Sequence, residues 1–161
     1  MKFVSIIMGS ESDYETMKCC VETFEKFEVK YELVVSSALK SPKRTEQYVL
    51  EAERKGAVVF ITASKVVSHL AGMVSSLTTK PVVSHQTKSS DINESFSTVY
   101  TPAGIPVCSA TLGETGAINA AYFAMQILAI SDKELAVKLK EDRIVQSKKV
   151  ETISKKIEVI L

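Results

Sequence analysis

Short unbroken apolar runs alternate along the chain with longer stretches in which apolar residues recur every three or four positions. The runs fall at Phe3 to Met8, Leu33 to Val35, Ala57 to Ala63 and Pro81 to Val83, with a further candidate at Ile105 to Ala110. Runs without alternation suit strands covered on both faces, because every successive side chain then meets a layer of helix instead of water. The stretches between them read as helices. Met17, Val21, Phe24 and Phe27 share one face of the first, and Ser12-Asp13-Tyr14-Glu15 opens it as a capping box with Ser12 at the cap and Glu15 three residues on. Ser41-Pro42 opens the second, with Pro at a position where the helix has no use for an N–H. Gly113 to Ile130 is an Ala-rich helix whose glycines let it approach a neighbour closely, either the core of its own domain or another subunit. Ser131-Asp132-Lys133-Glu134 reads as a second capping box. It opens a terminal helix with a solvated charged face, on which Leu135, Leu139, Val145 and Val150 are placed to grip another subunit.

Strands alternating with helices predict βαβ units around a parallel sheet, an α/β fold wound on both faces. Ligands of such sheets bind beyond the carboxyl ends of the strands, where the strand order reverses. That rule selects the loops 8–13, 36–42, 62–69 and 84–91. A length of 161 residues with 45% hydrophobic content predicts one domain over residues 1–161.

Composition narrows the chemistry. Twenty basic against 19 acidic residues leave a net charge of +1, which gives no reason to expect nucleic acid or an anionic membrane as partner. The opening MKFVSIIMGS is too short for a membrane span and lacks a small-residue cleavage site, so it reads as the first strand. Cys19, Cys20 and Cys108 form no C-x-x-C pair, which fits buried, reduced thiols of a cytoplasmic protein. With only His69 and His85 as imidazoles and no clustered carboxylates, no metal site is expected.

The loop MGSESD, Met8 to Asp13, carries a small-residue turn straight into a helix. Backbone N–H groups there, with the Ser10 and Ser12 hydroxyls, form a cradle for phosphate, and Asp13 is suited to ribose hydroxyls a few ångströms away. The bland alternative is a capped helix with no ligand. The loop SALKSP, residues 37 to 42, is placed equally well for chemistry, yet its centre is the aliphatic Leu39.

Taken in order, IIMGSESD (6–13), SALKSP (37–42), HLAGM (69–73), PAGIPV (102–107) and GETGAINAA (113–121) resemble the motifs of the aminoimidazole ribonucleotide carboxylases and carboxyaminoimidazole ribonucleotide mutases of purine biosynthesis. The resemblance covers about residues 3–130, leaving 131–161 as a helical extension. It implies a flavodoxin-like three-layer α/β/α sandwich, usually an octamer, acting in the cytoplasm without metal or organic cofactor on a small ribonucleotide. The implied reaction places a carboxylate on the imidazole carbon of aminoimidazole ribonucleotide, taken from CO2 or from the N-carboxylated isomer. It requires a phosphate anchor, a dry pocket and one acid/base group near the ring carbon.

By resemblance Gly9, Ser10, Ser12, Asp13 and Ser37 contact the ligand, and Lys40 stands where the family has an Arg or Lys after its catalytic histidine. That histidine falls on Leu39, which cannot exchange a proton at any pH. The family's Gly- and Ala-rich run before HLAGM is replaced by Ala63-Ser64-Lys65-Val66-Val67-Ser68, and the segment after Pro81 is shorter than usual. Candidates to take over proton transfer are His69, at a helix start, His85, in the loop after the fourth strand, and Lys65 if desolvation makes it a base. The expectation is a divergent member of the family with the standard activity weakened or lost. The alternatives are a non-catalytic ribonucleotide-binding or assembly paralogue and an enzyme with a re-specialised substrate.

Overall fold

The computed structural model describes residues 2–65, 69–87 and 101–157. Two compact units divide the chain, residues 1–125 and 126–161. In the first, β1 (Phe3–Met8), β2 (Tyr31–Val35), β3 (Ala57–Ser64), β4 (Val82–Gln86) and β5 (Cys108–Ser109) form one sheet in the order β2-β1-β3-β4-β5. All four pairings are parallel, with Met8 opposite Val35 and Ala63, and Ala63 opposite His85. The order reverses between β1 and β3, so the crevice of this sheet lies above their carboxyl ends.

The described helices are α1 (Tyr14–Lys26), α2 (Pro42–Lys55), α3 (His69–Leu77), α4 (Gly113–Ala129) and α5 (Lys133–Ile157). Among the described residues no helix is long and apolar enough to cross a membrane. The unbroken apolar runs are buried as strands, with Val4, Ile6, Ile7, Val59, Phe60 and Ile61 fully inaccessible. Met17, Val21, Phe24 and Phe27 are buried together as their spacing requires. Each such side chain contributes about 1.5–3 kcal/mol through the area it removes from water. Ile7, Phe60 and Val82 join Val49, Ala52, Leu70 and Val74 in the core against α2 and α3.

Several local expectations are displaced. β2 begins two residues before the Leu33 run, at Tyr31, and β5 is reduced to Cys108–Ser109. The first capping box is centred on Ser10: its backbone N–H donates to Asp13 Oδ2 at 2.9 Å, and a single 3-10 turn, Glu11–Asp13, precedes α1. Ser12 therefore lies inside this turn and does not cap α1. Asp132, not Ser131, caps α5, its Oδ1 accepting from Leu135 N at 3.0 Å. Ser41 precedes Pro42 as expected but makes no cap bond; its hydroxyl donates to the Ser37 carbonyl at 3.1 Å.

β4 runs to Gln86, three residues beyond its apolar run, because Ser84, His85 and Gln86 are fully covered although polar. His85 is thus a strand residue and not part of a loop. The α4 glycine at 116 serves the chain's own core: a Cβ there would lie 1.5 Å from the Thr111 carbonyl oxygen and 2.8 Å from His85 Cε1. Only glycine lets the helix sit this close to β4. In the second unit Leu135 is buried, whereas Val145 and Val150 are exposed.

Candidate functional site

A cavity of about 800 Å³ opens at the carboxyl ends of the central strands. Its described lining comes from Met8 at the end of β1, Val35 at the end of β2, Lys65 just after β3 and Thr87 just after β4, together with Ser10, Ser12, Tyr14 and Glu15. The backbone ladder extends past the strands to hold this rim. Gly9 N donates to the Ala63 carbonyl at 2.8 Å, Ser36 N to Met8 at 2.9 Å and Thr87 N to Ser64 at 3.0 Å.

The Ser10 loop is held by several bonds of its own. Ser10 and Ser12 hydroxyls lie 3.0 Å apart, Ser12 N donates to Ser10 Oγ at 3.4 Å, and Asp13 N donates to the Ser10 carbonyl at 3.1 Å. Both serines are exposed toward the cavity side. Behind them Asp13 is buried. Its Oδ2 accepts from Ser10 N at 2.9 Å, and its Oδ1 accepts from Thr87 Oγ1 at 2.7 Å. Asp13 thus holds the loop from behind, and its carboxylate is not presented to solvent. A Cβ at Gly9 would make only ordinary contacts, 3.6 Å from the Ala63 carbonyl oxygen and 3.7 Å from Ser64 Cβ, so neither space nor backbone strain demands glycine there.

Ser37, Leu39, Lys40 and His69 are not among the described residues lining this cavity. Leu39 is 73% exposed, and Lys40 is exposed beside it. The Ser37 hydroxyl accepts from Lys40 N at 3.2 Å, and the Ser37 amide donates to Ser41 Oγ at 3.2 Å. Below this turn Thr45 is buried, its hydroxyl within 2.8 Å of Ser36 Oγ. His69 is the first residue of α3 and is exposed. Lys65 is exposed too, which removes the desolvation on which its use as a base depends.

His85 is fully buried. Its Nδ1 lies 3.1 Å from the Thr111 carbonyl, which can only accept, so Nδ1 carries the proton, and Nε2 is buried with no hydrogen-bond partner among the described residues. Burial holds its pKa down at about 4, against a smaller upward pull from the Thr111 hydrogen bond. The imidazole is neutral at physiological pH and fastens β4 to the turn before α4. Cys20, the most enclosed thiol, is pushed up to about 12 by burial and by neighbouring Cys19, so it is no nucleophile at neutral pH. The expectations for Val66, Val67, Ser68 and the segment after Thr87 fall on 66–68 and 88–100, outside the described residues.

The loop 84–91 selected from the sequence holds Thr87 without singling it out, whereas Tyr14, Glu15 and Val35 lie outside the selected loops. Val35 ends an apolar run and signals only a strand, and Thr87 follows a stretch that has no strand-like hydrophobicity.

A 2-1-3-4-5 parallel sheet with its cavity over the β1/β3 reversal defines a flavodoxin-like α/β protein. The crystal structure of Treponema denticola PurE shares this fold, with a TM-score of 0.90 over 99% of this chain and 100% of that one at 23% sequence identity. The AIR carboxylase family model matches residues 3–149, and the chain belongs to that family. The N5-carboxyaminoimidazole ribonucleotide mutase of Saccharolobus solfataricus is 42% identical over 144 residues, covering 88% of this chain and 90% of that protein. The mutase of Bacillus subtilis is 39% identical over 143 residues, covering 87% of this chain and 88% of that protein. That of Escherichia coli is 38% identical over 150 residues, covering 91% and 89%.

Proposed function

We propose that this chain binds a phosphorylated imidazole ribonucleotide in the cavity above β1 and β3, and that it catalyses the family's carboxylation or carboxy transfer weakly or not at all. The observation that supports this reading is the contrast between a bonded Ser10 and Ser12 loop and an exposed aliphatic Leu39 where the family resemblance places a histidine. The exposed hydroxyls of Ser10 and Ser12 take the phosphate, and Lys40 adds a cation without the planar two-pronged geometry of Arg. The reaction forms a carbon–carbon bond between CO2 and the imidazole carbon, and the proton of that carbon must then leave. Leu39 cannot receive it. Loss of a positioned acid/base group costs about 10²- to 10⁴-fold in rate.

His85 does not replace it, because its protonated form is disfavoured by burial and its ring is held inside the fold. Metal and organic cofactor have no part in the proposed chemistry. We place the protein in the cytoplasm, as one domain with a helical extension that joins copies into an octamer.

The test is to assay purified protein with aminoimidazole ribonucleotide plus bicarbonate, and separately with the carboxylated product, alongside Leu39→His. A silent wild type and an active Leu39→His identify the missing proton carrier as the lesion. Silence of both, with no ribonucleotide binding, overturns the reading. A second reading, a non-catalytic assembly paralogue, is favoured by α5, where Val137, Ile144, Val150 and Ile157 are each more than half exposed. It predicts a stable oligomer that binds ribonucleotide without turnover even after Leu39→His, measured by light scattering and calorimetry.

A further inference from the structure

We infer that Thr87 is a positioning residue that sets the shape of the Ser10 loop through the buried carboxylate of Asp13, presenting the loop to an anionic ligand ready-made. The inference rests on the proposed use of this loop as the phosphate anchor. Thr87 and Asp13 are 3% and 1% exposed, and the 2.7 Å bond between them joins residues 74 positions apart.

Two bonds of its own make Thr87 a junction, and a third carries the link on to Ser10. The Thr87 amide donates to the Ser64 carbonyl at 3.0 Å, which ties it to the end of β3. Its hydroxyl donates to Asp13 Oδ1, and the other oxygen of that carboxylate accepts from Ser10 N. Beside the direct bond from Gly9 N to Ala63, the path from β3 to Ser10 therefore runs through one hydroxyl and one carboxylate. A hydrogen bond to a buried carboxylate is stronger than a neutral one, and losing it leaves charge short of a donor. Without that donor the carboxylate is drawn toward water, and the Ser10 amide it holds goes with it. A loop that must be reordered on binding takes its ligand more weakly than a preformed one.

Three variants test this. Thr87→Val keeps the shape and removes the hydroxyl, Thr87→Ser keeps the hydroxyl, and Asp13→Asn removes the charge. Amide hydrogen exchange of residues 10–13, which needs no ligand, is expected to accelerate about 10- to 100-fold in Thr87→Val and to return near the wild-type rate in Thr87→Ser. The dissociation constant for aminoimidazole ribonucleotide, by calorimetry, is expected to rise by about the same factor in Thr87→Val. Combining Thr87→Val with Asp13→Asn should add little to either single change, since both break one path. Unchanged exchange at residues 10–13 in Thr87→Val, or effects that add in the double variant, overturn the inference. If Thr87→Val does not fold, Thr87→Ser and Asp13→Asn carry the same test: slow exchange retained in both overturns it, and fast exchange in Asp13→Asn alone supports it. Absence of ribonucleotide binding by the wild type overturns the proposed function instead, while the exchange result still decides the role of Thr87.

Discussion

The loops after β1 and after β2 stand side by side at one end of the sheet, because their strands are paired, yet they are built on different terms. In the first, the bonds that hold Ser10 run through buried Asp13 to Thr87, just after β4. In the second, Ser37, Lys40, Ser41 and Thr45 bond among themselves, and Leu39 points a bare aliphatic group into solvent. The tertiary fold thus enforces the loop proposed as phosphate anchor, whereas the loop where the resemblance places a catalytic histidine is a local turn centred on an aliphatic side chain. A loop of the first kind is expensive to alter and keeps its shape, while one of the second kind accepts a changed side chain without disturbing the core.

That contrast can be broken most directly at Leu39. Leu39→His is expected to raise turnover of aminoimidazole ribonucleotide and bicarbonate by about 10²- to 10⁴-fold with little change in thermal stability, checked by steady-state assay and melting. An equal loss of fold stability would show that the second loop is as constrained as the first.

The first loop is tied to the end of β4 through Thr87, so the next effect concerns the contact of β4 with α4. Gly116→Ala forces a methyl carbon to within 1.5 Å of the Thr111 carbonyl oxygen. The expected loss is at or above the upper end of ordinary overpacking, about 3 kcal/mol, seen as a lowered denaturant midpoint.

Acid should loosen the same contact. His85 titrates at about 4 in the fold against an ordinary 6.5, so the unfolded chain binds the proton more readily. Its stabilising contribution is full above pH 6.5 and is lost as pH falls from 6.5 toward 4. That loss amounts to roughly 3 kcal/mol by pH 4, read from melting temperatures across this range. His85→Gln should flatten that part of the profile, whatever it does to stability at neutral pH.

Beneath the second loop the expected effect is smallest. Thr45→Val deletes the 2.8 Å contact with Ser36 and the bond to the Ser41 carbonyl, for a loss of about 1 kcal/mol in denaturant titration. A loss as large as that of Gly116→Ala would place both loops under the same tertiary control.

Much of this organisation is legible in the order of residues alone. The apolar runs at Phe3 and Ala57 mark their strands closely, because a strand covered on both faces leaves no polar position to blur its ends. Ser10 and Ser12 are identifiable as cavity residues from the turn leading into a helix, and Leu39 from its place in an ordered set of motifs. His85 reads as a loop residue because Ser84, His85 and Gln86 carry no hydrophobic signal, although α4 covers His85 through a glycine. The capping box shifts by two residues because Ser10 and Ser12 satisfy the same local pattern. Only the Asp13 carboxylate, held in place by Thr87, selects Ser10.

The sequence by itself determined the order of strands and helices, the family motifs and the absence of a proton carrier at residue 39. These depend on side-chain identity and on spacing within one element. The tertiary structure alone decided which hydroxyl would meet Asp13, why residue 116 must be glycine and that His85 would be sealed from water. Each depends on residues brought together by the strand order of the sheet, and a pattern that repeats every two or four residues holds no record of such pairings.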